Sequence, residues 1–254
     1  EDGPTALSQY RNSFSVAYQD VYSSEQALAD IRVCETLTEN SPLAARVHDT
    51  HNIDEGIFNA KIYQLGTQLE PSRIMPVFSH FNSHIVEETG YELRREDGSV
   101  IWVHDYEVRL SFIPEDTARL TETFETAFLA TWNGQNEDDA FNRLILPQSA
   151  NWRDIAFLRL VARYRRQSGL DPSEATQIEA LEQYPELTGK LLDLKNAKFA
   201  PGLFKSMAHR EEAVKAIEAD ITTGLTHVAS LDHDRVIRRL ADVISAGLRT
   251  NFYQ

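Results

Sequence analysis

The chain carries several sets of ionisable residues whose types and spacing could support metal binding or acid–base chemistry. His48 and His51 are three apart and His80 and His84 four apart, spacings that bring imidazoles together on a helix. The first pair lies in a polar segment, and the second straddles an expected helix-to-strand boundary, so both read as ordinary polar surface. Cys34 is the sole cysteine, which leaves no soft ligand set, and no metal site is expected. His104 falls on the apolar face of a strand pattern. That is the place of a hydrogen-bonded core histidine, with a ligand contact or catalytic acid–base role as the second reading. Glu137, Asp138 and Asp139 could hold a cation or act as general acids, yet they stand at a helix N-terminus, where the helix dipole favours negative charge. Gly66, Thr67 and Gln68 are the candidate ligand-binding residues. Their turn joins a strand to a helix N-terminus, where backbone N–H groups can meet a small molecule.

Other chemistries are missing. No two of the 11 glycines are separated by a single residue, so the G-x-G-x-x-G dinucleotide fingerprint cannot occur. Gly189 and Lys190 are followed by Leu191 without a glycine-rich loop, which excludes a phosphate-binding loop of the P-loop kind. Neither G-x-S-x-G nor H-E-x-x-H is present. No catalytic residue and no cofactor site are therefore assigned to this chain.

The elements that position these residues can be read from hydrophobic period and end signals. Ser23 and Gln26 stand in capping-box order before Leu28, Ile31, Cys34 and Leu37, which predicts an amphipathic helix ending near Asn40. Pro42 and the charge-mixed segment from His48 to Gly56 read as a linker. Phe58, Ala60 and Ile62 alternate with Asn59, Lys61 and Tyr63 as a short strand. Pro71 opens a helix carrying Ile74, Val77, Phe78 and Phe81, which Pro76 should shorten or bend.

The run from Val100 to Phe112 alternates apolar residues with Asp105, Glu107, Arg109 and Ser111, the pattern of a sheet wetted on one side. Asp97 and Gly98 suit a type I′ turn back to a strand with Ile85, Tyr91 and Leu93. Beyond Pro114 the pattern is helical. One helix carries Leu120, Phe124, Ala127 and Phe128 and stops at Asn133-Gly134, and a second is capped by Asn151. Asp171, Pro172 and Glu174 open a third as cap, first-turn proline and acid. The last two run through Val214 to Val228 and Ile237 to Leu248.

The expected fold class is α+β. A small ACT/ferredoxin-like antiparallel α/β unit spans 57–133, an N-terminal helix and linker span 1–56, and an all-α helical bundle spans 134–254. The pattern yields β-α-β-β-α, so the fourth strand that such a unit wants after its second helix is missing. Either it comes from elsewhere or the sheet has three strands.

With 254 residues, 42% hydrophobic and 25% charged, the chain has the composition of a soluble globular protein. Its formal charge of -14 repels phosphate backbones and anionic lipid heads, so neither nucleic acid nor membrane is an expected partner. The arginines at 163, 165, 166, 235, 238 and 239 read as solvated or ion-paired helix faces. A lone cysteine fits a reducing cytoplasm. A first residue Glu1 and a final helical pattern running into Gln254 read as a piece of a longer polypeptide.

Six words in order, PSRIMPVF at 71–78, VIWVHDY at 100–106, WNGQNEDDAFNRL at 132–144, WRDIAFLR at 152–159, SLDHDR at 230–235 and LRTNFYQ at 248–254, resemble the large bacterial NAD-specific glutamate dehydrogenases. The resemblance runs from about Tyr10 to Gln254. It implies a segment between N-terminal regulatory modules of ACT type and a catalytic region that begins just after Gln254. It further implies a cytoplasmic, homo-oligomeric parent that oxidises L-glutamate to 2-oxoglutarate and ammonia with NAD. On that footing this chain is a regulatory or scaffolding part. Its partners would be its own catalytic domain, other subunits and a small amino-acid effector. A purely structural or oligomerising segment without an effector is the alternative.

Overall fold

The computed structural model describes residue 10 and residues 12–167, 169 and 172–253. Two compact units divide at residue 135. The first contains helices α1 (Val16–Val21) and α2 (Ser24–Cys34), strands β1 (Leu43–Asp49) and β2 (Ile57–Leu65), helix α3 (Pro71–His80), strands β3 (Ser83–Arg94) and β4 (Val100–Leu110), and helix α4 (Thr117–Trp132). Its sheet has four antiparallel strands in the order β1-β2-β4-β3.

The strand absent from the sequence pattern is β1. It occupies the stretch read as linker, and its register runs from Leu43 opposite Gln64 to Val47 opposite Ala60, with an irregularity before Asp49. Only Leu43 and Val47 of β1 are buried, so an edge strand with this little apolar content leaves no alternation to detect. The sheet is thus completed from upstream of its first expected strand, and the order is β-β-α-β-β-α.

Both faces of the sheet are covered, which corrects the expectation of one wet face. Phe58, Phe78 and Phe124 meet on one side, with ring centroids 5.1 Å apart for Phe58 and Phe124 and 5.8 Å for Phe78 and Phe124. Each such ring, fully buried, contributes ~1.5–3 kcal/mol. Residues of opposite parity on the strands, among them Tyr63, Ile101 and Val103, face the other way and pack under Tyr18, Ile31, Cys34 and Leu37. The capping box of Ser23 and Gln26 forms as expected. Its helix ends earlier than Asn40, at Cys34, and Leu28 is left exposed.

The turn at Asp97-Gly98 differs from a type I′ turn, since only Gly98 has positive φ, at 85°. Gly98 N–H donates to the Arg95 carbonyl and Arg95 N–H to the Ser99 carbonyl. A left-handed glycine following an ordinary turn is the three-residue hairpin arrangement.

The second unit holds a 3-10 turn (Ala140–Leu144) and helices α5 (Trp152–Arg166), α6 (Glu174–Gln183), α7 (Pro185–Phe199), α8 (Met207–Leu225) and α9 (Leu231–Ala246). Asn151, Ser173, Ser206 and Ser230 each accept a hydrogen bond from the first turn that follows. The cap expected at Asp171 lies outside the described residues; Ser173 fills that role and Pro172 precedes it. Helix α7 was not separated in the sequence pattern. It starts directly after α6, with Pro185 in its first turn. Leu248, expected on the last apolar stripe, lies beyond α9 and is 93% exposed.

Candidate functional site

Asp105 sits mid-strand on β4 opposite Lys61 on β2, and both are buried. Period-2 alternation turns each toward helices α1 and α2. Lys61 Nζ donates to Asp30 Oδ2 at 2.6 Å, and Tyr18 Oη and Tyr63 Oη donate to the same carboxylate at 2.5 and 2.7 Å. Arg46 approaches Asp30 Oδ1 at 3.4 Å. Asp105 accepts from Tyr22 Oη and lies 2.9 Å from His48 Nε2. The Lys61 ammonium also lies 3.4 Å from the Tyr22 ring centroid, a cation–π contact that is stronger for being dry.

This is a nearly closed network. A carboxylate offers about four acceptor sites, and Asp30 has four donors from α1, β1 and β2. Burial, opposed by Asp30, holds the Lys61 ammonium below its usual range. Burial, and then the carboxylates they face, push the phenols of Tyr18, Tyr22 and Tyr63 well up. The group without a partner here is His48 Nδ1, which is buried. The arrangement fastens helices to sheet; it aims no acid and base at a common point in space.

The residues singled out from sequence fall elsewhere. Gly66, Thr67 and Gln68 form an exposed turn between β2 and α3, with Gly66 at φ 87° and its N–H donating to the Val100 carbonyl. His104 is a core histidine, 1% exposed, with Nδ1 2.8 Å from Glu88 Oε1 and its ring stacked on Tyr106. His48 faces Asp105 whereas His51 is exposed and pairs with Asp49, so the two do not converge. Among the described residues no group of three or more His, Cys, Asp or Glu is placed to hold a metal ion. Asp139 caps the 3-10 turn through Phe141 N–H and accepts from Arg159 and Arg163, while Glu137 pairs with Arg163 at 2.6 Å. Arg159, 3% exposed, also donates to the side-chain oxygens of Asn136 and Asn142.

Sequence reading missed Asp30, Lys61 and Asp105. The available signal was a lysine and an aspartate in the middle of otherwise apolar strands, together with an aspartate on the inner stripe of the first long helix.

Family descriptions for glutamate dehydrogenase match the chain in succession: helical motif 2 over 1–37, the ACT3 domain over 42–118 and helical motif 3 over 136–201. A fourth, the catalytic domain of bacterial NAD-glutamate dehydrogenase, matches 220–254. The NAD-specific glutamate dehydrogenases of Halomonas elongata and Pseudomonas aeruginosa are each 30% identical, over 100% and 99% of this chain. That of Mycobacterium tuberculosis is 27% identical over 99%. The chain belongs to the NAD-specific glutamate dehydrogenase family.

It spans 16% of the length of these glutamate dehydrogenases. The ACT3 match takes in β1, in agreement with the four-stranded sheet. The catalytic-domain match begins within α8, which overturns the expectation that this region starts only after Gln254. In glutamate dehydrogenase terms the buried network is a seam: Tyr18, Tyr22 and Asp30 come from the helical motif 2 match, and Arg46, His48, Lys61, Tyr63 and Asp105 from the ACT3 match.

Proposed function

We propose that this chain is a regulatory and scaffolding segment, non-catalytic by itself, of an NAD-specific glutamate dehydrogenase. The full-length protein, in this reading, oxidises L-glutamate to 2-oxoglutarate and ammonia with NAD, in the cytoplasm and as a homo-oligomer. The observation that supports a scaffolding role is the network around Asp30, whose acidic and basic groups are taken up by one another instead of facing a substrate.

The candidate turn ahead of α3 does not fit NAD. The turn from β2 to α3 carries one glycine, its N–H bonds the Val100 carbonyl, and the acid Glu70 stands at the helix cap, where a pyrophosphate would be repelled. No helix among the described residues is long and apolar enough to cross a membrane, and the acidic charge speaks against nucleic acid as a partner.

A small amino-acid effector would meet the chain at Gly66, Thr67 and Gln68, which are exposed ahead of a helix cap that makes no side-chain hydrogen bond. An effector shifts activity only by binding two arrangements unequally. The alternative, a structural or oligomerising segment, is favoured by a sheet whose two faces are both filled. Calorimetry of this chain with amino acids separates the two: saturable heat abolished by Thr67→Ala with Gln68→Ala supports the effector, and its absence leaves the structural role. Glutamate-dependent NADH formation by the purified chain, with host enzyme excluded, would overturn both.

A further inference from the structure

We infer that an apolar groove along α5 is the seat of catalytic-domain polypeptide in the full-length protein. The inference rests on the reading just given, that this chain is a segment of a glutamate dehydrogenase. The groove has a volume of about 540 Å³ and is walled by Leu160, Val161 and Tyr164 of α5, Phe199 of α7, and Val243 and Ile244 of α9.

Its position follows from one stripe. Phe157, Leu160, Val161 and Tyr164 recur at three- and four-residue spacing and so share a face of α5. The first turn of that stripe is already covered by the end of the chain: Phe252 packs edge-on to Phe157 at 6.2 Å. The covering segment is firmly held. Arg153 donates to the Phe252 carbonyl at 2.7 Å, Tyr253 Oη donates to Asn196 Oδ1 at 2.9 Å, and the buried Lys195 ammonium lies 3.9 Å from the Phe252 ring centroid. Gly247 lets the chain leave α9 tightly against α7, since a Cβ there would come within 2.9 Å of Phe199 Cζ.

Over the next two turns of the stripe Val161 is buried, whereas its neighbours on either side are open. Leu160 is 64% exposed and Tyr164 62%, more apolar surface in one groove than scattered single exposures would give. The wall on the far side, Val243 to Asn251, lies in the stretch matched by the catalytic domain, and the α5 and α7 walls lie in the helical motif 3 match. The groove is therefore the uncovered continuation of a contact that residues of the catalytic-domain match already make with helical motif 3. That match takes in only residues 220–254 here, whereas the relatives extend far beyond the 16% that this chain spans. Further polypeptide of the same domain is the occupant that continues the contact.

Leu160→Cys supplies the probe. The chain's own thiol, Cys34, is buried, so a maleimide reads the new site. Labelling of the residue 160 peptide, followed by mass spectrometry, is expected to be fast in this chain and roughly ten-fold or more slower in the full-length protein. Leu203→Cys, at a position 54% exposed and away from the groove, should label equally in both. A bifunctional thiol-to-amine reagent on residue 160 should capture peptides that follow residue 254 of the same polypeptide. Equal labelling in both proteins overturns the inference. So does protection in this chain that grows with concentration, which would mark a second copy, or capture of peptides preceding residue 1. Glutamate-dependent NADH formation by the full-length protein is measured alongside. Protection without that activity keeps the groove and removes the dehydrogenase reading; activity without protection does the reverse.

Discussion

Lys61 Nζ and Asp30 Oδ2 are 2.6 Å apart beneath the N-terminal helices, with their side chains 1% and 0% exposed. The pair ties α2 to the central strand β2. Lys61→Met leaves the Asp30 charge buried with less compensation, and breaking such a pair typically costs ~3–5 kcal/mol. Asp30→Asn should be comparably harmful. The double variant is expected to be less harmful than the sum, by ~0.5–3 kcal/mol, in urea unfolding of this chain. Strict additivity would show that the two charges are not coupled.

The network also sets a response to alkali. Cys34 is pushed from 9.0 to about 12 by burial first and by the Asp30 charge second. Tyr18, Tyr22, Tyr63 and Tyr106 are raised by burial first. All prefer their protonated form in the fold, so their stabilisation is complete below the ordinary values and is lost as pH climbs toward the folded ones. Lys61 and Lys195, both lowered by burial, act in the opposite sense, but they are two groups against these five acids. The urea midpoint of the native chain should therefore decline steadily above about pH 9, the ordinary thiol value. A midpoint that rises in that range would contradict the assignment.

Gly56 closes the turn before β2 at φ 74°, and a Cβ there would lie 3.2 Å from the Phe112 carbonyl oxygen. Gly98 has φ 85° with nothing near. Gly56→Ala carries both the left-handed penalty of ~1–2 kcal/mol and a backbone contact, so it should lower the melting temperature more than Gly98→Ala.

Arg159 holds Asp139, Asn136 and Asn142 in one planar fork within the second unit. Lysine keeps the charge but not the fork. Arg159→Lys is expected to lose ~1–3 kcal/mol in thermal unfolding of this chain, and Arg159→Met more. Equal stability of Arg159→Lys and the native chain would remove the network from the account of that unit.

Much of the fold could be read from end signals. Ser23 with Gln26, Asn151 and Gly134 stand where their chemistry put them, and Gly98 turns the hairpin, though not in the type I′ form expected. Strand β1 escaped because an edge strand with two buried residues leaves no alternation. The buried network escaped for a related reason. Alternation of Ile101, Val103 and Asp105 with the opposite face tells that a face exists, but a charged residue on it looks the same whether water or an aspartate two elements away receives it. Asp30 and Lys61 become partners only once α2 lies across the sheet, a tertiary fact with no local trace.

The early edge strand simplifies how the sheet can assemble. β1 with β2, and β3 with β4, join across short connections, whereas β2 meets β4 only after α3 and β3 have intervened. Two hairpins can form locally, and the single closure of a long loop that unites them carries most of the entropic barrier. Folding speed of this unit should accordingly respond to changes along the β2–β4 border, between Ile57 and Leu65 and between Ile101 and Arg109, far more than to changes at either outer edge.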